Sequence, residues 1–360
     1  MGAQDIVGPW YSYLKNEVFS GLRATLISAL ATFSAAMAEA RHCASGQMAS
    51  KVRGPAKPAS QRRRWERWLA NPEFDAEVAQ DRLAQTVWSV WSSPRAQLIL
   101  DETCKGHALR CLRVSIAYRR RVLPLLSVCY PPDRPPRPMP QLVRAVLDRA
   151  IRHAPRHVEI VLLADRGLAW PVVVDWCTRH GCHYLLRLQG STRVRLSDGR
   201  VVAARDLAPR AGVRPWFGTA QVFKKAGWRW ASVLAWWPRG RQAPWLLVTD
   251  QSACAGRWRQ YAKRMWIEEG FRDEKSQGFQ WQLSRVNDPD HADRLQTVLA
   301  LAMLLLLSIG TWLIKRGLRH CFDPRRQRRL SVFQLGLQAI NRVERLLELK
   351  ARLAFYFHPS

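Results

Sequence analysis

The sequence predicts a mixed α/β protein: a core of strands and helices, an inserted antiparallel β segment, and helical regions at both ends. Three observations predict it. From about residue 95 to 188, short apolar strand-like runs alternate with segments of helical periodicity. From Gly190 to Asp250 the texture changes to short alternating runs punctuated by Gly, Pro and Asp. Before residue 90 and after residue 255 the periodicity is helical.

In chain order, residues 1–90 read as helical. Leu22 to Ala40 is Ala-rich and amphipathic, and Ala44 to Ser60 carries Gly, Pro and Ser and reads as a loop. Gln61 to Trp68 is a basic helix with two tryptophans, stopped at Asn71-Pro72. Such a helix either meets DNA phosphates or turns its tryptophans inward below a solvated face. Residues 91–189 hold the first strands. Gln97-Leu-Ile-Leu-Asp101 ends in an acid, and Leu109 to Ala117 and Val122 to Tyr130 form a hairpin around Tyr118-Arg-Arg-Arg121. Pro131 to Pro140 is extended, and Gln141 to Arg152 is helical. Val158 to Ala164 is a buried-type strand ending at Asp165-Arg-Gly167. Trp170 to His180 reads as a helix and His183 to Leu188 as a strand. Within 190–250, Thr192 to Leu196 and Trp228 to Trp236 are strands, and Trp245 to Thr249 returns to the main sheet. Residues 251–316 are helical, and 317–360 form a basic helical tail.

Composition limits the function. Lys plus Arg number 57 against 28 acids, a formal net charge of +29. Such an excess is the footprint of a polyanion partner. The chain is 48% hydrophobic with 17 Trp, which excludes general disorder. Eight scattered Cys form no C-x-x-C pair, so a zinc knuckle and a disulfide framework are not expected. Reduced thiols in the cytoplasm are the simpler reading. Met1 to Gly21 carries Asp5, Lys15 and Glu17 and lacks the apolar core of a signal peptide. Val298 to Ile314 runs 17 residues without a charge; a buried core helix explains it better than a membrane span.

The chemistry concentrates in Tyr261 to Lys275. At about 100° per residue, Tyr261, Arg264, Glu268, Arg272 and Lys275 fall within roughly 80° on one helix face. One carboxylate is then ringed by a phenol and three cations, as a site holding a metal ion between phosphates would require. Asp101 and Asp165 end two strands, and acids at one edge of a sheet can converge on a cleft. Three carboxylates give hard oxygen donors suited to Mg²⁺ or Mn²⁺, and two such ions can activate the attacking oxygen and stabilise the leaving one in phosphodiester chemistry. Each acid also has a plain structural reading: Asp101 and Asp165 as turn residues, Glu268 as the salt-bridge partner of Arg264 and Arg272.

The run Tyr261-x2-Arg264-x3-Glu268-x6-Lys275 resembles the Y-R-E-K signature of the insertion-sequence DDE transposases of the IS-four family. Leu163-Ala-Asp-Arg-Gly167 resembles that family's second acid block, and Leu98-Ile-Leu-Asp-Glu-Thr103 its first, with Glu102 where members often carry Asp, Gly or Ser. The likeness spans about residues 95–315. It implies an RNase H-like catalytic core with the β insertion between the second Asp and the Glu. It implies Asp101, Asp165 and Glu268 as catalytic and metal-binding residues with two Mg²⁺ or Mn²⁺ ions. Tyr261, Arg264 and Lys275 would contact DNA phosphates, and Arg272 shares their face. The partners implied are double-stranded DNA, as terminal inverted repeats and target, and a second copy in a synaptic dimer, in the bacterial cytoplasm at the nucleoid and not in a membrane. A Trp of the insertion, among Trp228, Trp230, Trp236 and Trp237, could hold a flipped base. The rival functions are an RNase H-like nuclease without strand transfer and an inactive DNA-binding relative.

Overall fold

The computed structural model describes residues 6–323 and 328–340. Five helices open the chain: α1 (Val7–Tyr13), α2 (Ala24–Ala40), α3 (Ser45–Ala49), α4 (Pro58–Leu69) and α5 (Ala76–Ser89). Local signals set their starts. Pro58 sits in the first turn of α4, where its missing N–H costs nothing. Asp75 caps α5 by accepting the N–H groups of Glu77 and Val78.

The sheet follows: β1 (Arg95–Lys105), β2 (Leu109–Tyr118), β3 (Arg121–Tyr130), α6 (Met139–Ile151), β4 (Glu159–Ala164), α7 (Pro171–Arg179) and β5 (His183–Arg187). Then come β6 (Arg193–Arg195), β7 (Val201–Ala203), β8 (Trp216–Val222), β9 (Arg229–Trp236) and β10 (Trp245–Thr249). All ten strands form one sheet in the order β3-β2-β1-β4-β5-β10-β9-β8-β6-β7. β1, β2 and β3 are antiparallel neighbours, while β4 runs parallel to both β1 and β5. That topology, with helices on both faces, is the RNase H-like fold. The strands of residues 190–250 are continuous with this sheet through β10, which pairs antiparallel with β5 and β9.

Strand alternation divides the interior. Leu98 and Leu100 of β1 and Leu162 and Ala164 of β4 face the larger core. Ile99, Val161 and Leu163 face a smaller core on the opposite side. The larger core holds α10 (Pro289–Lys315), together with residues of α2 and α5 and of the last described helix, α11 (Val332–Ala339). α10 is long and apolar enough to cross a membrane, but 94% of its most apolar window is buried inside the protein, the packing of a core helix. The tryptophans of α4, Trp65 and Trp68, also turn inward against Phe33 and Phe74, while Arg63, Arg64 and Arg67 are exposed. One face of that basic helix is therefore packed and the other open to solvent.

Several elements differ from the sequence reading. β1 runs on past Asp101 to Lys105, because Glu102 to Lys105 pair with Leu109 to Leu112 of β2. The hairpin turn at Arg119-Arg120 forms as expected, with both residues at positive φ, as a two-residue turn requires. Of the tail arginines 325–329, residues 325 and 326 lie outside the described residues, as does 341–360 of the expected basic tail. All eight cysteines are free thiols.

Asp293 of α10 accepts the backbone N–H of Cys129 at 2.7 Å. Burial pushes its carboxyl from 3.8 up to about 7, against the lowering pull of the Cys129 bonds. The folded chain therefore holds a proton that the unfolded chain releases, so this stabilisation is present at low pH and is lost as pH rises from about 4 to about 7. Thermal melts across that window should show wild type losing several degrees relative to Asp293→Asn. A constant difference between the two proteins would remove Asp293 as the cause.

Candidate active site

The site assembles on one face of the sheet, where the neighbouring strands β1 and β4 deliver their acids. Asp101 has the strand parity of Ile99 and so projects onto the smaller-core face. Glu102 takes the other face, where it accepts the Tyr130 hydroxyl and lies 3.7 Å from Arg110. Asp165 follows the last residue of β4, and its Oδ1 accepts the Gly167 N–H at 2.8 Å, the turn geometry its sequence allows.

The third acid arrives from helices on that same face. α8 (Gly256–Ala262) and α9 (Met265–Arg272) are separated at Lys263-Arg264, and a π-helical turn over Asp273–Gln277 follows. The sequence predicts one continuous helix here; the break and the wider turn shift the side chains off a single stripe. α9 lies close on the sheet: a Cβ on Gly270 would come within 2.6 Å of the Val122 side chain, so only glycine permits this approach. Ile267 and Phe271 bury the opposite edge of α9 in the smaller core.

All three acids meet one guanidinium. Arg264 Nη2 donates to Asp101 Oδ2 at 2.9 Å and lies 3.7 Å from Asp165 Oδ2, while Nη1 donates to Glu268. Arg264 is 8% exposed, and its Nε has no partner. Burial, opposed by Arg264 and reinforced by Asp165 and Glu268, raises the Asp101 carboxyl to about 6. Among the described residues no group of three His, Cys, Asp or Glu is arranged to hold a metal ion. The donor set nevertheless suits a hard dication: three carboxylates already gather around one positive charge.

These residues line a cleft of about 440 Å³ with Glu102, Thr103, Phe271, Arg272, Lys275 and Ser276. Of the expected phosphate contacts, Arg272 and Lys275 stand in that cleft, although Arg272 is half engaged with Glu269 at 2.8 Å. Arg264 lines the cleft from among the acids. Tyr261 is turned away: it is 2% exposed, and its hydroxyl donates to the Ala164 carbonyl at 3.4 Å, next to Asp165. The break after α8 separates Tyr261 from the stripe, and its ring packs against Trp245 in the smaller core.

Sequence reasoning missed the ion pairs behind α9. Arg113 of β2 donates to Glu274 and to Gln296, with both charged side chains essentially inaccessible. Arg121, at the start of β3, donates to buried Asp273 at 2.6 Å. The only signal was two adjacent acids, Asp273 and Glu274, set between Arg272 and Lys275. Of the insertion tryptophans, Trp230 is 60% exposed, Trp228 lies under Arg195, Trp236 packs on Trp258 and Trp237 donates to the Arg241 carbonyl. His183 pairs with Asp250 and His180 with the Trp176 carbonyl, so neither faces the acids.

An RNase H-like sheet with acids on β1 and at the end of β4, and cations around the cleft, is the arrangement of a polynucleotide-processing core. Residues 101–305 match the family model of the transposase DDE domain, more than half of the chain, and the chain belongs to that family. Its substrate is accordingly DNA, and DDE domains normally use divalent metal ions. Comparison with curated proteins gave no match.

Proposed function

We propose that this chain is an insertion-sequence transposase of the IS-four type, with Tyr261, Arg264, Glu268 and Lys275 as its Y-R-E-K residues. It excises and inserts its element by cutting double-stranded DNA at the terminal inverted repeats and joining the 3′ end to target DNA. The observation that carries this reading is the convergence of Asp101, Asp165 and Glu268 on a single cationic point on one face of an RNase H-like sheet.

Asp101, Asp165 and Glu268 would hold Mg²⁺ or Mn²⁺, most simply two ions, which would activate the attacking oxygen and stabilise the leaving one. In the first step water attacks the phosphodiester at the element end and the 3′ oxygen leaves as a hydroxyl. In the second that hydroxyl attacks a target phosphodiester in line, displacing its 3′ oxygen. Neither exchange needs a covalent protein intermediate. The protein's part is to position strands: Lys275 acts as a point charge on phosphate, and Arg272 offers a planar fork. Tyr261 holds the strand end that delivers Asp165. We assign residues 1–90 to DNA contact, through the exposed arginines of α4. Residues 91–189 and 251–316 are the two parts of the catalytic core, 190–250 the β insertion and 317–360 a basic tail. Two copies would pair the element ends, in the bacterial cytoplasm at the nucleoid.

Lys275→Ala should weaken binding to repeat-bearing duplex and lower the slope of log affinity against log salt by about one. A slope equal to wild type in a salt titration would remove Lys275 from the phosphate track. The rival reading, a nuclease of the same fold without strand transfer, would give cut ends and no joined product.

A further inference from the structure

We propose that Arg264 is a displaceable counter-ion that makes metal loading of the acid triad depend on bound DNA. The inference rests on the DNA-processing reading above and goes beyond it.

Asp101 and Glu268 each give one oxygen to one guanidinium, and Asp165 Oδ2 stands 3.7 Å from it. An oxygen directed at Arg264 is not free to ligate a dication, and two cations within a few ångströms repel strongly where water is scarce. Metal entry therefore requires Arg264 to withdraw. Its side chain permits that: the Arg264 backbone is held by short-range bonds, its N–H to the Tyr261 carbonyl at 2.9 Å and its carbonyl to the Ile267 N–H at 3.3 Å, so only the long side chain has to turn. A destination is at hand. Arg264 lines the same cleft as Arg272 and Lys275, where a phosphate backbone has cationic partners. It also carries a spare donor, since Nε has no partner among the acids. A DNA phosphate accepts two parallel N–H bonds from an arginine, so it can use Nε and one Nη together. Arg264 then leaves three uncompensated carboxylates behind, and their charge attracts a dication.

Charge balance points the same way. One guanidinium against three acids leaves two negative charges, which the partial exposure of Asp165 and Glu268 lets water screen without metal. Adding a dication while Arg264 stays would bring a second cation into the same oxygens. Exchange of one cation for the other is the simpler transition. By linkage, DNA must raise metal affinity by the same factor as metal raises DNA affinity.

The test is a Mn²⁺ titration of the full chain followed by electron paramagnetic resonance, with and without duplex DNA bearing the repeat that flanks the gene. Wild type, Arg264→Gln, Arg264→Lys and Glu268→Ala are compared, the last giving the Mn²⁺ bound by DNA or elsewhere on the protein. Wild type should bind Mn²⁺ about tenfold more tightly with duplex, within the usual range of coupled sites. Arg264→Gln should bind Mn²⁺ tightly without duplex and gain little from it. Arg264→Lys keeps the charge but lacks the fork, and should restore part of the DNA dependence. Mg²⁺ should also raise the Tm of Arg264→Gln more than that of wild type. Equal wild-type Mn²⁺ affinity with and without bound duplex would overturn the coupling while leaving the transposase reading intact. Unchanged or weaker Mn²⁺ binding by both Arg264 variants would also overturn it. A wild type that fails to bind duplex at all would count against the functional reading itself.

Discussion

Alanine at Asp101, Asp165 or Glu268 is expected to reduce strand cleavage at least a thousandfold, about 4 kcal/mol of transition-state stabilisation, while duplex binding survives. The three variants should differ in stability. Glu268 is 43% exposed at its side chain, so its loss should leave folding almost unchanged. Asp101 is buried and shares Arg264, so Asp101→Ala leaves that guanidinium with fewer partners and should melt earlier. Asp101→Asn fills the same space and separates the two effects: it should keep more of the stability and still fail to cleave. Cleavage of repeat-bearing duplex, gel retention and a thermal melt on each variant check all three statements. Near-normal cleavage by any one variant would remove that acid from the triad.

The second large effect is structural. Glu274→Ala should cost about 3–5 kcal/mol, the usual penalty for leaving one member of a buried ion pair unpaired. Arg113 is 1% exposed at its side chain and Glu274 fully buried, so water reaches neither. Arg113 retains only the Gln296 carbonyl oxygen and the face of Phe271. The pair ties β2 to the turn that ends α9, so the damage should spread to the seating of Glu268. Replacing both partners, Arg113→Met with Glu274→Leu, should cost less than Glu274→Ala alone, because no buried charge is then stranded. Urea unfolding of the three proteins measures this; a wild-type midpoint for Glu274→Ala would contradict it.

Most of the order of strands and helices was legible in the sequence as short apolar runs with clear turn signals, whereas α3, within a stretch that reads as a loop, and β7 and β8 of the insertion were not. β4 and its Asp165 turn, the β2–β3 hairpin and the buried character of α10 all follow from local pattern. β1 was read too short, since its outer half alternates polar residues that only pairing with β2 explains. The cleft was legible as a set of residue types and not as an arrangement. A helical wheel assumes an unbroken helix, and the break at Lys263-Arg264 sends Tyr261 into the core. Arg113 and Arg121 look like surface cations in sequence, because their partners Glu274 and Asp273 lie more than 150 residues away. Nothing local separates a buried arginine from a solvated one.

The most direct test of the central claim is strand transfer. Wild type, Mg²⁺ and a pre-cut duplex ending in the repeat's 3′-OH are incubated with supercoiled target DNA, beside Glu268→Ala. A transposase joins the labelled 3′ end to the target, and the joined product is absent with Glu268→Ala. Target nicking without any joined label would contradict the account and leave a nuclease in its place.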